Sequence, residues 1–239
     1  IGVGAQRALT LGVEGENLSG VLNPLEFLAE VRLGARPDLG QNIAIIGGGN
    51  TAMDAARTSL RLAGESATVS VIYRRTMSEM PADIDEIEAA LAEGITFHEL
   101  IAPLSFEGDG QVKQIHCQKM ELGEPDASGR RRPVPLDGEF LKFPVDTVIP
   151  AIGQAISVDF IGEDDLQVNY ATCTTAIPHV YAGGDAVRGA SSVINAIGDG
   201  QIAARHILHS IEASPARPKN APRLISIDDL QKKAANREY

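Results

Sequence analysis

An α/β fold built around a parallel sheet is expected from three features of this 239-residue sequence. Two apolar runs, Asn42 to Ile46 and TVSVIYRR, flank an amphipathic helical stretch. The glycines at 47, 48 and 49 join the first run to that helix, in the order strand, turn, helix, strand. Later the period changes: VKQIHCQKM alternates in the manner of an antiparallel strand, and DTVIPAIG returns as a continuous apolar run.

The elements follow in order. The opening IGVGA reads as the end of a strand, with turns around Gly12, Gly15 and Gly20. Leu25, Phe27, Leu28 and Val31 then repeat at helical spacing until Gly34 and Pro37 end the helix. From about Gln41 to Ile149 the chain reads as one α/β unit. In its first helix Ala52, Met53, Ala56, Leu60 and Ala63 share a face and Gly64 is the stop. In PADIDEIEAALAEG the shared face is Ile84, Ile87 and Leu91, with Gly94 at the end. ITFHE is a third strand. VKQIHCQKM, the turn-rich GEPDASGRRRPVPLDG and EFLKF form an antiparallel excursion in place of a crossover helix, before DTVIPAIG returns as a buried strand. From about Gly153 a second glycine-rich element appears. It is a short strand ending in Gly183-Gly184-Asp185, then a loop, then a helix striped by Ile194, Ile197, Ala204 and Ile207. Beyond Ser210 lies a polar tail with Pro215, Pro218 and Pro222. Its end, ISIDDLQKKAANREY, reads as a short helix with Asp228 in its first turn.

Composition narrows the function classes. The net charge is −11, which disfavours nucleic acid and anionic membranes as partners. Apolar residues make up 44%, enough for a core, but no run approaches the roughly 20 residues of a membrane span. IGVGAQRALT lacks the features of a signal peptide, so a cytoplasmic protein is expected. Cys117 and Cys173 are the two cysteines, far apart and outside any CxxC pair. Two buried free thiols are expected, with no metal or cluster ligands. His206 and His209 sit at helical spacing without a carboxylate cluster, so no metal is expected there either.

The glycine turn carries the chemistry. Gly47 allows a tight bend and Gly49, after Gly48, lets a pyrophosphate approach the backbone. Ala52 is small enough for the helix to pack on the strand. The helix start at Asn50 and Thr51 points free N–H groups and a partial positive charge at the anion. Arg74 and Arg75 close the second strand, where an NAD site would carry a carboxylate. Two guanidiniums suit a 2′-phosphate, so NADPH is the expected cofactor. A glycine turn with no ligand and a solvated pair of arginines are the plainer alternatives.

IIGGGNTAMDAAR with VIYRRTMSEMP, followed by DTVIPAIGQ and VYAGGDAVRGASSVINAIGDGQIAA, resembles the glutamate synthase small-subunit family. These NADPH-dependent flavoproteins are related to the flavin region of dihydropyrimidine dehydrogenase. They belong among the two-dinucleotide-binding-domain flavoproteins. The resemblance covers about residues 1–212. It implies a Rossmann-like NADPH domain, residues 41–149, inserted in a partial FAD domain formed by 1–35 with its connecting helix and by 150–212. Residues 213–239 are the polar tail. It further implies that Asp185, after Gly184, hydrogen-bonds the FAD ribityl chain. Ser191, Ser192, Val193 and Ile194 would face the flavin pyrimidine edge, and Gly153 and Gln154 would cross between the domains. The family's first FAD fingerprint and its upstream cysteines are absent, so the sequence reads as the C-terminal portion of a longer protein with a partial FAD site.

The leading expectation is an oxidoreductase in which NADPH reduces FAD and electrons pass to an iron–sulfur domain or a large partner subunit. No catalytic acid or base is assigned, because the cofactors perform the chemistry. An isolated NADP(H)-binding module is the alternative. An ordinary dehydrogenase is disfavoured by the lack of a Tyr-x-x-x-Lys pair and by the Gly-Gly-Asp element.

Overall fold

A computed structural model of the chain describes residues 1–64, 66–126 and 129–211. The polar tail and the short helix expected near its end lie outside these residues.

The centre is a four-stranded parallel sheet. Its strands are β2 (Asn42–Ile46), β3 (Thr68–Tyr73), β4 (Thr96–Glu99) and β8 (Thr147–Pro150), in the order β4-β3-β2-β8. They are numbered along the chain after β1 (Arg7–Ala8). β2 is buried on both faces, which is why it reads as an unbroken apolar run. Ile43 and Ile45 face the helices α1 (Pro24–Arg32), α2 (Asn50–Ala63) and α3 (Ile84–Ala92). There they join Phe27, Met53 and Ile87 in one core. Ala44 and Ile46 face the opposite way and pack with Ile101, Phe106, Ile115 and Cys117. Those residues come from a three-stranded antiparallel sheet of β5 (Ile101–Asp109), β6 (Gln111–Pro125) and β7 (Arg131–Pro144). The excursion therefore covers the face that a crossover helix would otherwise cover.

α2 begins at the Gly49 N-cap and ends at Gly64, whose φ of 82° terminates it. α3 buries Ile87 and Ala90, whereas Ile84 is 64% exposed and Leu91 also faces solvent. Of the expected stripe only Ile87 is buried, and Ala90 rather than Leu91 joins it in the core. β5 was not foreseen. Leu100, with φ of 55°, separates it from β4 and turns the chain out of one sheet and into the next. α1 also packs on the parallel sheet, with Phe27 in its core. Just before it, Leu22 N–H donates to the Val148 carbonyl and Val148 N–H donates to Gly20, so residues 20–22 line the edge beside β8.

The opening residues form no strand. β1 pairs antiparallel with β9 (Gln154–Ala155), matching Ala8 to Gln154. The remainder holds a 3-10 turn (Glu163–Leu166), the short helix α4 (Asp185–Arg188) and α5 (Val193–Ser210). The strand expected before Gly183 makes one isolated bridge, Thr174 to Tyr181. The apolar stripe expected to bury α5 is open: Ile194 is 75% exposed, and Ile197 and Ile207 are exposed with it. No described segment covers that face.

Candidate functional site

The turn between β2 and α2 uses its three glycines differently. At Gly47, φ is 135° and an added Cβ would lie 2.2 Å from the Ala151 carbonyl oxygen. This glycine is required by the fold. At Gly48 an added Cβ would lie 2.8 Å from the Tyr73 ring and 2.9 Å from Met80, so packing also fixes this position. Gly49 differs. Its φ of −95° and ψ of 175° suit any residue, and an added Cβ would meet only the Pro81 ring, at 4.0 Å. Nothing among the described residues requires a glycine there. Directly after it, the N–H groups of Asn50 and Thr51 have no acceptor among the described residues, as expected for a helix start. Ala52 is fully buried against the sheet. Asn50 is held by Asp83, donating through Nδ2 at 3.2 Å and accepting the Asp83 N–H at 2.8 Å. Thr51 Oγ1 accepts from Gln154 Nε2 at 3.3 Å, which ties the crossing strand β9 to the helix start. An anion resting on Gly49 would thus meet free N–H groups, a helix dipole and open space, which fits a pyrophosphate.

The two arginines after β3 part company. Arg74 is exposed. Arg75 is only 4% exposed; its Nε donates to the Arg131 carbonyl at 2.7 Å and its Nη2 to Asp126 at 2.7 Å. Arg75 therefore clasps the end of the hairpin where β6 passes into β7, and of the expected pair Arg74 is the guanidinium that faces outward. The residue following two strand-end arginines gives no local sign of which one turns inward. That depends on a carboxylate and a carbonyl far along the chain.

A second site lies in the last third. A cavity of about 870 Å³ is bounded by Gly183, Gly184, Asp185, Ser192 and Val193, with Ile1 and Gly4 on another wall. Gly184 N-caps α4 with φ of 67°, and Asp185 Oδ1 accepts the Ser191 N–H at 3.1 Å. Ser192 N-caps α5, its Oγ accepting from Asn195 N–H at 3.3 Å. The N–H groups of Val193 and Ile194 have no acceptor among the described residues. The structure thus brings Gly184, Asp185 and residues 191–193 to one cavity, and leaves the exposed Ile194 side chain out of its lining. Gly153, with φ of 133°, accepts the Leu9 N–H at 3.0 Å beside β9 and lies apart from that cavity's lining.

Two residues here, Asp199 and Arg188, were missed in the sequence. Asp199 on α5 is 2% exposed. It accepts Gly184 N–H at 2.9 Å, Arg188 Nε at 2.7 Å and Arg188 Nη2 at 2.6 Å. The Arg188 guanidinium holds its carboxyl below the usual carboxylate range against the opposing effect of burial. An acidic residue inside a helical stretch that faces a Gly-Gly turn was the available signal. Cys117 and Cys173 are buried and unbridged, and burial pushes the Cys117 thiol up to about 12. No metal-binding cluster of His, Cys, Asp or Glu occurs among the described residues, and no described helix is long and apolar enough to cross a membrane.

Comparison with known proteins agrees with this geometry. The chain is 40% identical over 215 residues to the NADP(+)-dependent formate dehydrogenase subunit beta of Moorella thermoacetica, covering 85% of this chain and 30% of that protein. It is 32% identical over 237 residues to the glutamate synthase [NADPH] small chain of Escherichia coli (strain K12), covering 89% of this chain and 50% of that one. The chain therefore spans 30% to 50% of the length of these relatives. The resemblance to the glutamate synthase small-subunit family is borne out by them. The fold is shared with FprA from Mycobacterium tuberculosis in complex with NADPH, at a TM-score of 0.73 and 20% identity, over 98% of this chain and 67% of that one. Residues 1–200 match the family model described as pyridine nucleotide-disulphide oxidoreductase. With a glycine turn onto a free helix start and a second glycine turn walling a large cavity, the chain belongs to the pyridine nucleotide-disulphide oxidoreductase family.

Proposed function

We propose that this chain is the NADPH-binding part, with a portion of the FAD-binding part, of an NADPH-dependent flavoprotein oxidoreductase. The observation that carries the reading is Gly49. It is a glycine that neither backbone angle nor packing requires, set directly before unpaired helix N–H groups. A ligand lying against the backbone explains it. Gly47 and Gly48 hold the turn, Asn50 and Thr51 supply N–H groups, Ala52 seats the helix and Arg74 faces the 2′-phosphate. Arg75 supports the loop from beneath. Residues 41–149 form the NADPH domain, on which residues 11–33 also pack. Residues 1–8 and 150–211 belong to the flavin side, with Gly153 and Gln154 in the crossing ribbon.

At the second cavity Gly184 allows close approach, Asp185 offers a carboxylate, and the N–H groups after Ser191 and Ser192 face the ligand. The free N–H groups of Val193 and Ile194 stabilise negative charge on it. The apolar side chains of Val193 and Ile197 in the cavity lining suit a flat aromatic ring. When bound, the nicotinamide and flavin supply hydride transfer from C4 of one to N5 of the other. Electrons then pass to an iron–sulfur domain or partner subunit; relatives are named as subunits of larger enzymes. The buried free thiols suit a reducing compartment, and we place the protein in the cytoplasm.

The test is anaerobic addition of NADPH to the purified full-length protein, followed at the flavin absorbance. Bleaching of a yellow protein by NADPH, and much more slowly by NADH, is expected. A colourless protein that binds NADPH would instead establish an isolated NADP(H)-binding module. The exposed α5 stripe favours that second reading for the 239 residues by themselves.

A further inference from the structure

We infer that Asp199 is the positioning residue of the flavin pocket, acting through the turn that carries Asp185. The inference rests on the flavin reading above and adds a residue to it. Asp199 lies about two turns along α5 from the Ser192 cap, on the same side of the helix. Its carboxylate grips the Gly183–Arg188 turn at two points. Oδ2 accepts the Gly184 N–H and Arg188 Nε, and Oδ1 accepts Arg188 Nη2. Asp185 sits between the two gripped residues. The approach is close: a Cβ on Gly183 would lie 2.7 Å from the Asp199 Cβ. The first glycine of the triplet is thus needed for contact with Asp199.

The grip is itself braced. The Arg188 guanidinium lies 4.7 Å from the centroid of the Tyr170 ring, and Tyr170 OH donates to the Val187 carbonyl at 3.2 Å. From below, the Cys173 thiol donates to the Asp199 carbonyl at 3.4 Å. Asp199 therefore links the turn to α5 through its carboxylate and α5 to the 169–173 loop through its carbonyl. A buried ion pair adds little net stability over a well-packed apolar pair, but it permits few geometries. Here the geometry it selects sets Asp185 and the helix start at Ser192 and Val193, with its free Val193 N–H, on one cavity wall. Without the latch the turn slides on α5 and these groups no longer face the ligand together.

A double-mutant cycle in the full-length holoprotein tests this, with FAD dissociation constants read for Asp185→Ala, Asp199→Asn and the pair. Asp199→Asn keeps the side-chain size and a bond to Gly184 but loses the charge on Arg188. It should weaken FAD binding about tenfold and alter the visible circular dichroism of the bound flavin. NADPH affinity, read at the distant Gly49 site, should stay unchanged and shows that the NADPH-binding part is intact, while an unchanged melting temperature of the apoprotein shows that the flavin side is folded. Arg188→Gln should act in the same direction. In the Asp185→Ala background, Asp199→Asn should add less than twofold, about the size of measured additivity errors. If it adds its full tenfold there, Asp199 does not act through Asp185 and the latch is wrong, while the flavin reading stands. If Asp185→Ala binds FAD as the parent does, the flavin reading itself falls, and the latch with it.

Discussion

At the residue scale, the two strand-end arginines make a sharp experiment. Arg74→Ala removes a charged partner of the 2′-phosphate and should weaken NADPH binding by about 1.5–3 kcal/mol, with little effect on NADH. Arg75→Ala removes the clasp on Asp126 and the Arg131 carbonyl. It should lower stability by about 1–3 kcal/mol and leave the NADPH-to-NADH preference as it was. Isothermal titration with both nucleotides and thermal melts separate the two. An unchanged preference in Arg74→Ala would remove this residue from the site. Gly49 and Gly47 form a second contrast. A Cβ added at Gly49 meets no described atom closer than the Pro81 ring, at 4.0 Å, so Gly49→Val should melt as the parent does yet fail to bind NADPH. Gly47→Val drives a branched side chain into the Ala151 carbonyl at a φ of 135° and should not fold. Normal NADPH binding by Gly49→Val would show that the turn is structural only.

At the scale of elements, Asp146 fastens the entry of β2 to that of β8. Its Oδ2 accepts the N–H groups of Gln41 and Asn42, each at 2.8 Å. Those backbone bonds, Asn42 first, hold its carboxyl below the ordinary value of 3.8. Because the folded value is the lower one, its stabilisation is fully present above about 3.8 and is lost as pH falls through the folded value. Asp146→Asn should therefore melt at a lower temperature than the parent at neutral pH, and the gap should close in acid. A gap that persists far below the folded value would mean that the carboxylate charge is not what fastens the strands. The element pattern was otherwise readable for a clear reason. β2 and β8 lie between the helices and the antiparallel sheet, so both faces demand apolar residues and the run is continuous. β5 escaped notice because its start follows β4 after one residue, Leu100, without glycine or proline to mark the turn.

At the scale of the whole molecule, the two nucleotide sites differ in how much of their ligand this chain surrounds. The Gly47–Ala52 turn is backed by a sheet with helices on one side and a second sheet on the other. The 870 Å³ cavity is bordered by α5, whose Val193, Ile194 and Ile197 are exposed. A ligand there loses less of its surface to protein than binding sites usually take. Expressed by themselves, these 239 residues should retain NADPH and release FAD during gel filtration. Stoichiometric FAD carried through the column would show that the flavin is gripped elsewhere.

The local signals in the sequence were those that depend on near neighbours. Periodicity marked α2 and β3, and glycine spacing marked the turn at 47–49, because a helix start that receives an anion is built from consecutive residues. Glycines at 183 and 184 likewise announced the second turn. What lay beyond reach was which charged side chain turns inward. Arg75 is buried because Asp126 and Arg131 come back beneath it, and Asp199 is buried because Arg188 folds over it. The stripe on α5 carried the period of a buried face, yet burial requires a surface to meet it, and no described part of the chain supplies one. A repeat of apolar residues follows from the geometry of one helix, whereas the partner of a charge or of an apolar face is set by contacts between distant segments, which only the folded chain brings together.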